Sequence, residues 1–230
     1  MLKKIILSLC FVFASASSLF ALDKGSFILY PQAGFGISGA YADAASGYEL
    51  NYTLNLNYGG AWEYKDPEIK SGISLNTGMG IDYMVTGFLA FTSGILLDYI
   101  SFKVVYKSPS NPDAWMKFDL LYAGIPLGLR LYAGAFMAGC GLYIAAPVLP
   151  RASSKYGPDS SKGVLSGSPP TAGFFIDAGL NFNTSDINNL MIFLRMRNDY
   201  TYSHTNYFAT VRSTKNWSLL LTAAYGFKVK

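Results

Sequence analysis

The chain has 230 residues and a formal net charge of +4, with 51% hydrophobic, 16% aromatic and 14% charged residues. A balance this close to neutral does not argue for a nucleic-acid partner. Beyond the N-terminal region there is no run of about 20 apolar residues to make a transmembrane helix, so the high hydrophobicity fits alternating strands.

Met1 to Ala21 carries Lys3 and Lys4, then the apolar run Ile5 to Phe13, then small residues from Ala14 to Ser18. This reads as a cleaved signal peptide, which leaves 22–230 as one β-barrel domain. Cleavage after Ala21 is the preferred site, and Ala14-Ser15-Ala16 offers an earlier one. The mature chain then keeps one cysteine, Cys140, and can form no intrachain disulfide.

Ser26 to Gly39 alternates Phe27, Leu29, Ala33, Phe35 and Ile37 against Ser26, Gln32, Gly34, Gly36 and Ser38. That is the period of a strand with one row of side chains on each face. Pro31 removes a ladder donor and suggests a bulge. Tyr48 to Tyr58 alternates as cleanly, and Ile73 to Val85 follows with Asp82 on its polar face. After a tight turn at Thr86 and Gly87, Phe88 to Tyr106 reads as the longest strand, with Asp98 facing in and a bulge expected after Tyr99. Lys107 to Met116, with Pro109 and Pro112, reads as a loop.

Lys117 to Leu131 and Ala133 to Pro147 are two strands joined near Tyr132. Val148 to Pro170, rich in Ser, Gly and Pro, reads as a mobile loop. Thr171 to Phe182 sets Asp177 inward, a short turn spans Asn183 to Asn189, and Leu190 to Thr201 sets Arg195, Arg197 and Asp199 inward. After a polar loop, Tyr202 to Thr214, the chain closes on Asn216 to Lys230. There Trp217, Leu219, Leu221, Ala223, Tyr225, Phe227 and Val229 form an apolar row long enough to cross a bilayer, with aromatics near both ends. A secreted barrel or sandwich with apolar rows facing inward is the competing reading.

Nine such strands cannot leave both termini on the periplasmic side. The short connections near Thr86, Tyr132 and Asn183 belong to one side, and the long ones after Lys107, Val148 and Tyr202 to the other. Only one crossing can then precede Ile73. Ser26 to Gly39 is assigned to it and Tyr48 to Tyr58 to a ribbon in the first external loop, with the reverse assignment left open. The expected architecture is an all-β, eight-stranded antiparallel up-and-down transmembrane barrel with long external loops.

Tyr122-Ala123-Gly124-Ile125-Pro126-Leu127-Gly128-Leu129-Arg130, with the glycine-rich strand around Gly134, Gly139 and Gly141, resembles the PorT-type family of small outer-membrane barrels. Gly80-Ile81-Asp82-Tyr83 and Gly94-Ile95-Leu96-Leu97-Asp98-Tyr99 resemble that family's preceding pair of strands. The resemblance implies an eight-stranded barrel of the OmpA/OmpX-like group in the outer membrane of a diderm bacterium.

The face assignment puts Asp82, Asp98 and Asp177 in the lumen with Arg130, Arg195 and Arg197. Eight strands enclose a space just wide enough for side chains, and buried charges must be paired. These six are the expected ion-pair network. Arg151, Lys155 and Lys162 in the third long loop are the candidates for meeting an anionic partner. The single histidine, His204, lies in a loop with nothing to orient it as a base, so no catalysis is expected. No spacing suggests a metal site or cofactor.

The expected function is a non-catalytic integral outer-membrane barrel, monomeric, surrounded by outer-membrane lipid and folded by the barrel assembly machinery. Its external loops would serve recognition of an unidentified surface ligand or envelope structure. The alternative is passage of small hydrophobic molecules, as the OmpW-like barrels suggest. It requires an apolar lumen near the external end, and a charged lumen speaks against it.

Overall fold

The computed structural model describes residues 24–42, 53–54, 62–63, 65–107, 115–156, 159–164, 169–185, 188–200 and 214–229. Their strands are β1 Phe27–Ala42, β2 Thr53–Leu54, β3 Trp62–Glu63, β4 Lys65–Met84, β5 Leu89–Lys107 and β6 Trp115–Ala133. They continue as β7 Phe136–Tyr156, β8 Asp159–Val164, β9 Thr171–Ser185, β10 Asn188–Asp199 and β11 Thr214–Val229. Eight of these close an antiparallel ring in the order β1, β4, β5, β6, β7, β9, β10, β11 and back to β1. The protein is an eight-stranded barrel.

The first crossing is β1, which pairs with β4 on one side and β11 on the other. Among the described residues Thr53–Leu54 pairs only with Trp62–Glu63, in a separate two-stranded sheet. The rest of Tyr48 to Tyr58 lies outside the described residues, as do Met1 to Ala21 and His204.

Several local expectations need correction. Pro31 causes no bulge: the β1–β4 register runs straight through it, and on the β11 side the ladder lacks Tyr30 and Pro31 without changing register. The bulge expected in β5 after Tyr99 sits instead on the facing strand, between Ser71 and Ser74 of β4. The inward row of β5 continues in the same parity, with Ile100, Phe102 and Val104 all buried. Tyr132 belongs to β6; the connection is at Gly134, whose φ of 61° suits a residue without a Cβ. β7, at 21 residues, exceeds β5 at 19.

The largest correction concerns Val148 to Pro170. β7 continues through Tyr156, pairs there with the outer part of β6, and turns back into β8, which among the described residues pairs with β7 alone. These outer residues are polar on one or both faces, so they carry no apolar stripe to mark them as strand. Their backbone groups are nonetheless satisfied by the sheet.

Polarity is inverted relative to a water-soluble barrel. Outward positions are apolar and exposed around the ring, from Phe35 on β1 to Ile95 on β5, Leu142 on β7, Leu194 on β10 and Leu221 on β11. Inward positions hold the buried charges. This distribution removes the secreted, apolar-core reading. The lumen is also layered. Ile100, Phe102, Val104, Met116, Phe118 and Leu120 belong to an apolar cluster toward the long-loop end. Ile28, Met84, Ala90, Met137, Met191 and Ala224 belong to a second toward the short turns.

Candidate functional site

Between the two apolar layers lies the charged one. Asp82 comes from β4, Asp98 from β5, Arg130 from β6, Asp177 from β9, and Arg195 and Arg197 from β10. All six are buried. Each stands on the inward parity of its strand, which turns its side chain into the lumen, and the register places Asp177 directly opposite Arg195.

Arg130 is the bridge. It donates from Nη1 to Asp82 Oδ2 at 2.9 Å and from Nη2 to Asp177 Oδ2 at 2.9 Å. Arg195 forks onto the same Asp177, Nε to Oδ1 at 2.8 Å and Nη2 to Oδ2 at 2.8 Å. This bidentate geometry is the strong form of the arginine–carboxylate pair. Arg197 pairs separately with Asp98. Thus four of the six form one chain, Asp82–Arg130–Asp177–Arg195, and two form a pair beside it.

Residues that the charge count missed complete the layer. The hydroxyls of Tyr30 and Tyr132 both donate to Asp82, the former at 2.9 Å, and Arg130 Nη1 donates to the Tyr30 oxygen at 2.8 Å. Asn76 donates to Asp98, and Gln32 to Asn76. The guanidinium faces lie over rings: Arg195 at 5.3 Å from the Phe175 centroid and 5.2 Å from Phe193, Arg197 at 3.9 Å from Tyr143. Parity alone put Tyr30, Phe175 and Phe193 on the inner face, which was the available signal, whereas Tyr132 stood at the expected strand connection. Asp199, inward by parity but outside the count of three acids and three arginines, accepts hydrogen bonds from Asn216.

Small inward residues make room for these rings. A Cβ on Gly80 would stand 2.1 Å from the Tyr30 ring, and one on Gly141 would stand 2.8 Å from Phe175. The void beside the charges, lined in part by Leu96, Asp98, Arg195 and Arg197, measures about 10 Å³. That is at most the space of one water. This void is therefore too small to hold a substrate.

The three loop candidates stand elsewhere. Arg151 and Lys155 are on β7 and Lys162 is on β8. Arg151 and Lys162, with Trp115, Lys117, Asp119 and Ser153, line an open groove of about 580 Å³ on the outer wall.

No protein-family model matches the sequence, and no curated protein matches it. Among solved structures, the outer membrane protein OprG from Pseudomonas aeruginosa is 13% identical, with 91% of this chain and 98% of that chain covered and a TM-score of 0.42. Neisserial surface protein A is 15% identical over 89% of this chain and 99% of its own, with a TM-score of 0.37. Ail, the attachment invasion locus protein of Yersinia pestis, is 13% identical over 90% and 100%, with a TM-score of 0.34. The barrel described above rests on its own strand pairing.

Proposed function

We propose that this chain is a non-catalytic integral barrel of the outer membrane, closed along its axis by the charged layer and offering its long-loop end for surface recognition or envelope structure. The observation that carries the reading is the inverted polarity of a closed ring: exposed apolar side chains outside, paired ions inside. A ring leaves no unpaired sheet edge for lipid to meet, and only such a backbone crosses a bilayer with strands. The PorT-type resemblance of Tyr122 to Arg130 adds membership in the OmpA/OmpX-like group to the proposal.

Topology is tested by labelling. An amine reagent that cannot cross membranes, applied to intact cells, is expected to modify Lys162 and Arg151's neighbour Lys117 while sparing Lys24 and Lys228 until the outer membrane is opened. The exposed Lys162 and the strand-end Lys228 stand at opposite ends of the barrel. Labelling of Lys228 first would invert the barrel. Wild-type protein in planar bilayers is expected to conduct little, because the space beside the charges admits at most one water. A stable open channel of large conductance would sink the closed-lumen reading.

One observation favours the alternative, passage of small hydrophobic molecules. The inner wall toward the long-loop end is apolar, with Phe102 and Phe118 stacked at 4.9 Å between centroids, whereas the sequence had suggested charge there. An apolar solute meeting that wall would still reach the Asp–Arg layer beneath it, so uptake into liposomes is the measurement that separates the two readings.

A further inference from the structure

Register brings together lysines that lie far apart in the sequence. Lys70 of β4 is the cross-strand partner of Lys103 of β5, Lys103 of Lys117 of β6, Lys117 of Ser153 of β7, and Ser153 of Lys162 of β8. Partners in register share a face, and here it is the outer one, because the adjoining Ile69, Phe102, Phe118 and Ala152 pack into the inner apolar cluster. Five consecutive strands thus carry a single outward row with four lysines. At about 4.8 Å per strand it spans roughly 19 Å.

The level of the row is set by the apolar stripe below it. That stripe ends at Ile73, Tyr99, Leu121 and Leu149, and the row stands three or four residues farther toward the long-loop end on each of these strands. On a strand tilted by about 45° this is roughly 7 to 9 Å beyond the apolar edge. Lysine stems reach back along such a surface while the ammonium stays at headgroup depth.

Left to itself the arrangement is unfavourable. Like charges directly opposite one another on neighbouring strands destabilise a sheet, and Lys70, Lys103 and Lys117 occupy three successive strands. Some of this is offset locally: Lys117 Nζ lies 2.9 Å from Asp119 Oδ1, and Lys103 lies 4.4 Å from the Trp115 ring centroid. Partial burial opposes ionisation of Asp119, but hydrogen bonds from Tyr99 and Lys117 outweigh it and hold the carboxyl below its usual range. Even so, among the described outward side chains here, Lys70, Lys103, Lys117, Arg151, Lys155 and Lys162 face only Glu68 and Asp119. The excess is cationic.

We infer that this row binds the phosphate groups of lipid headgroups in the outer leaflet, making the β4–β8 wall a fixed anionic-lipid site. The row faces sideways in the plane of the membrane, so headgroup phosphates are the nearest anions outside the protein. The inference rests on the proposed membrane reading.

The test uses the purified full chain folded into phosphatidylcholine vesicles and into mixed micelles, with phosphatidic acid as the anionic probe and native mass spectrometry to count retained lipids. Phosphatidic acid is expected to be retained about fivefold over phosphatidylcholine or more. The preference should vanish in K70Q/K103Q/K117Q/K162Q and fade in about 0.5 M NaCl. It should survive in the corresponding lysine-to-arginine variant and in a K24Q/K215Q/K228Q control. Equal retention of the two lipids by the unmutated chain, or an undiminished preference in the glutamine variant, would overturn the inference while leaving the barrel standing. Displacement of the lipid by millimolar inorganic phosphate would mark a site for a small free anion and overturn the lipid assignment. Failure of the unmutated chain to insert into phosphatidylcholine vesicles would overturn the membrane reading and this inference with it.

Discussion

Arg130→Met is expected to lower the unfolding free energy of the barrel in lipid vesicles by about 3 to 5 kcal/mol, read from the denaturant midpoint. The side chain is fully buried and, among the described residues, is the one cation that touches both Asp82 and Asp177. Asp177 keeps the two bonds from Arg195 when Arg130 is gone. Among the described residues Asp82 then keeps the hydroxyls of Tyr30 and Tyr132, so its charge is left buried without a direct counter-ion. Most of the loss should therefore come from that one carboxylate. The check is a second substitution: Asp82→Asn on the Arg130→Met background should recover a large part of the stability, because the amide carries no charge and can accept from one tyrosine hydroxyl through its oxygen while its NH2 donates to the oxygen of the other. If the double variant is no more stable than the single, or the single loses less than about 1 kcal/mol, the layer is wet enough to screen its charges, and the closed-lumen account fails.

The six charged lumen residues were legible because membrane barrels separate their faces strictly. With lipid on one side and a narrow interior on the other, parity alone sends Asp82, Asp98, Arg130, Asp177, Arg195 and Arg197 inward. Which acid meets which base was not legible, since that depends on the register between strands distant in sequence. The outer third of the barrel was also hidden. There the apolar residues move to the inner face, as with Ile100, Phe102 and Val104, while the outer face becomes polar, and the change looked like a slip in the pattern after Tyr99. The hairpin of β7 and β8 was hidden for a related reason. Above the lipid a strand needs only a paired neighbour, and Arg151 to Tyr156 with Asp159 to Val164 provide that pairing without any apolar stripe. The lysine row shows the same limit: Lys70, Lys103, Lys117 and Lys162 are isolated charges in the sequence and become a row only through four ladders.

Ile95→Arg is expected to impair folding into vesicles by about 2 to 4 kcal/mol, while Ser153→Arg costs about 0 to 1 kcal/mol. Both positions face outward, so depth is the main difference between them; an arginine at 153 also meets Lys117 and Lys162 on the neighbouring strands, a like-charge cost that works against the expected order. Ile95 is 69% exposed and sits midway along the apolar stripe of β5, which runs from Leu89 to Tyr99. Ser153 lies beyond the end of the stripe on β7, beside Lys117 and Lys162. Inward positions make a poor control for lipid exposure: Thr222 is fully buried, and its Oγ1 would lie 2.6 Å from a Cβ on Gly34, so an arginine there has neither space nor a counter-charge. In a water-soluble barrel the order would reverse or disappear, since an exposed arginine at position 95 would simply be hydrated. Equal folding yields for the two variants across vesicles of the same lipid would place Ile95 outside the hydrocarbon, and the ring of exposed apolar side chains would then need a protein partner instead of a bilayer to cover it.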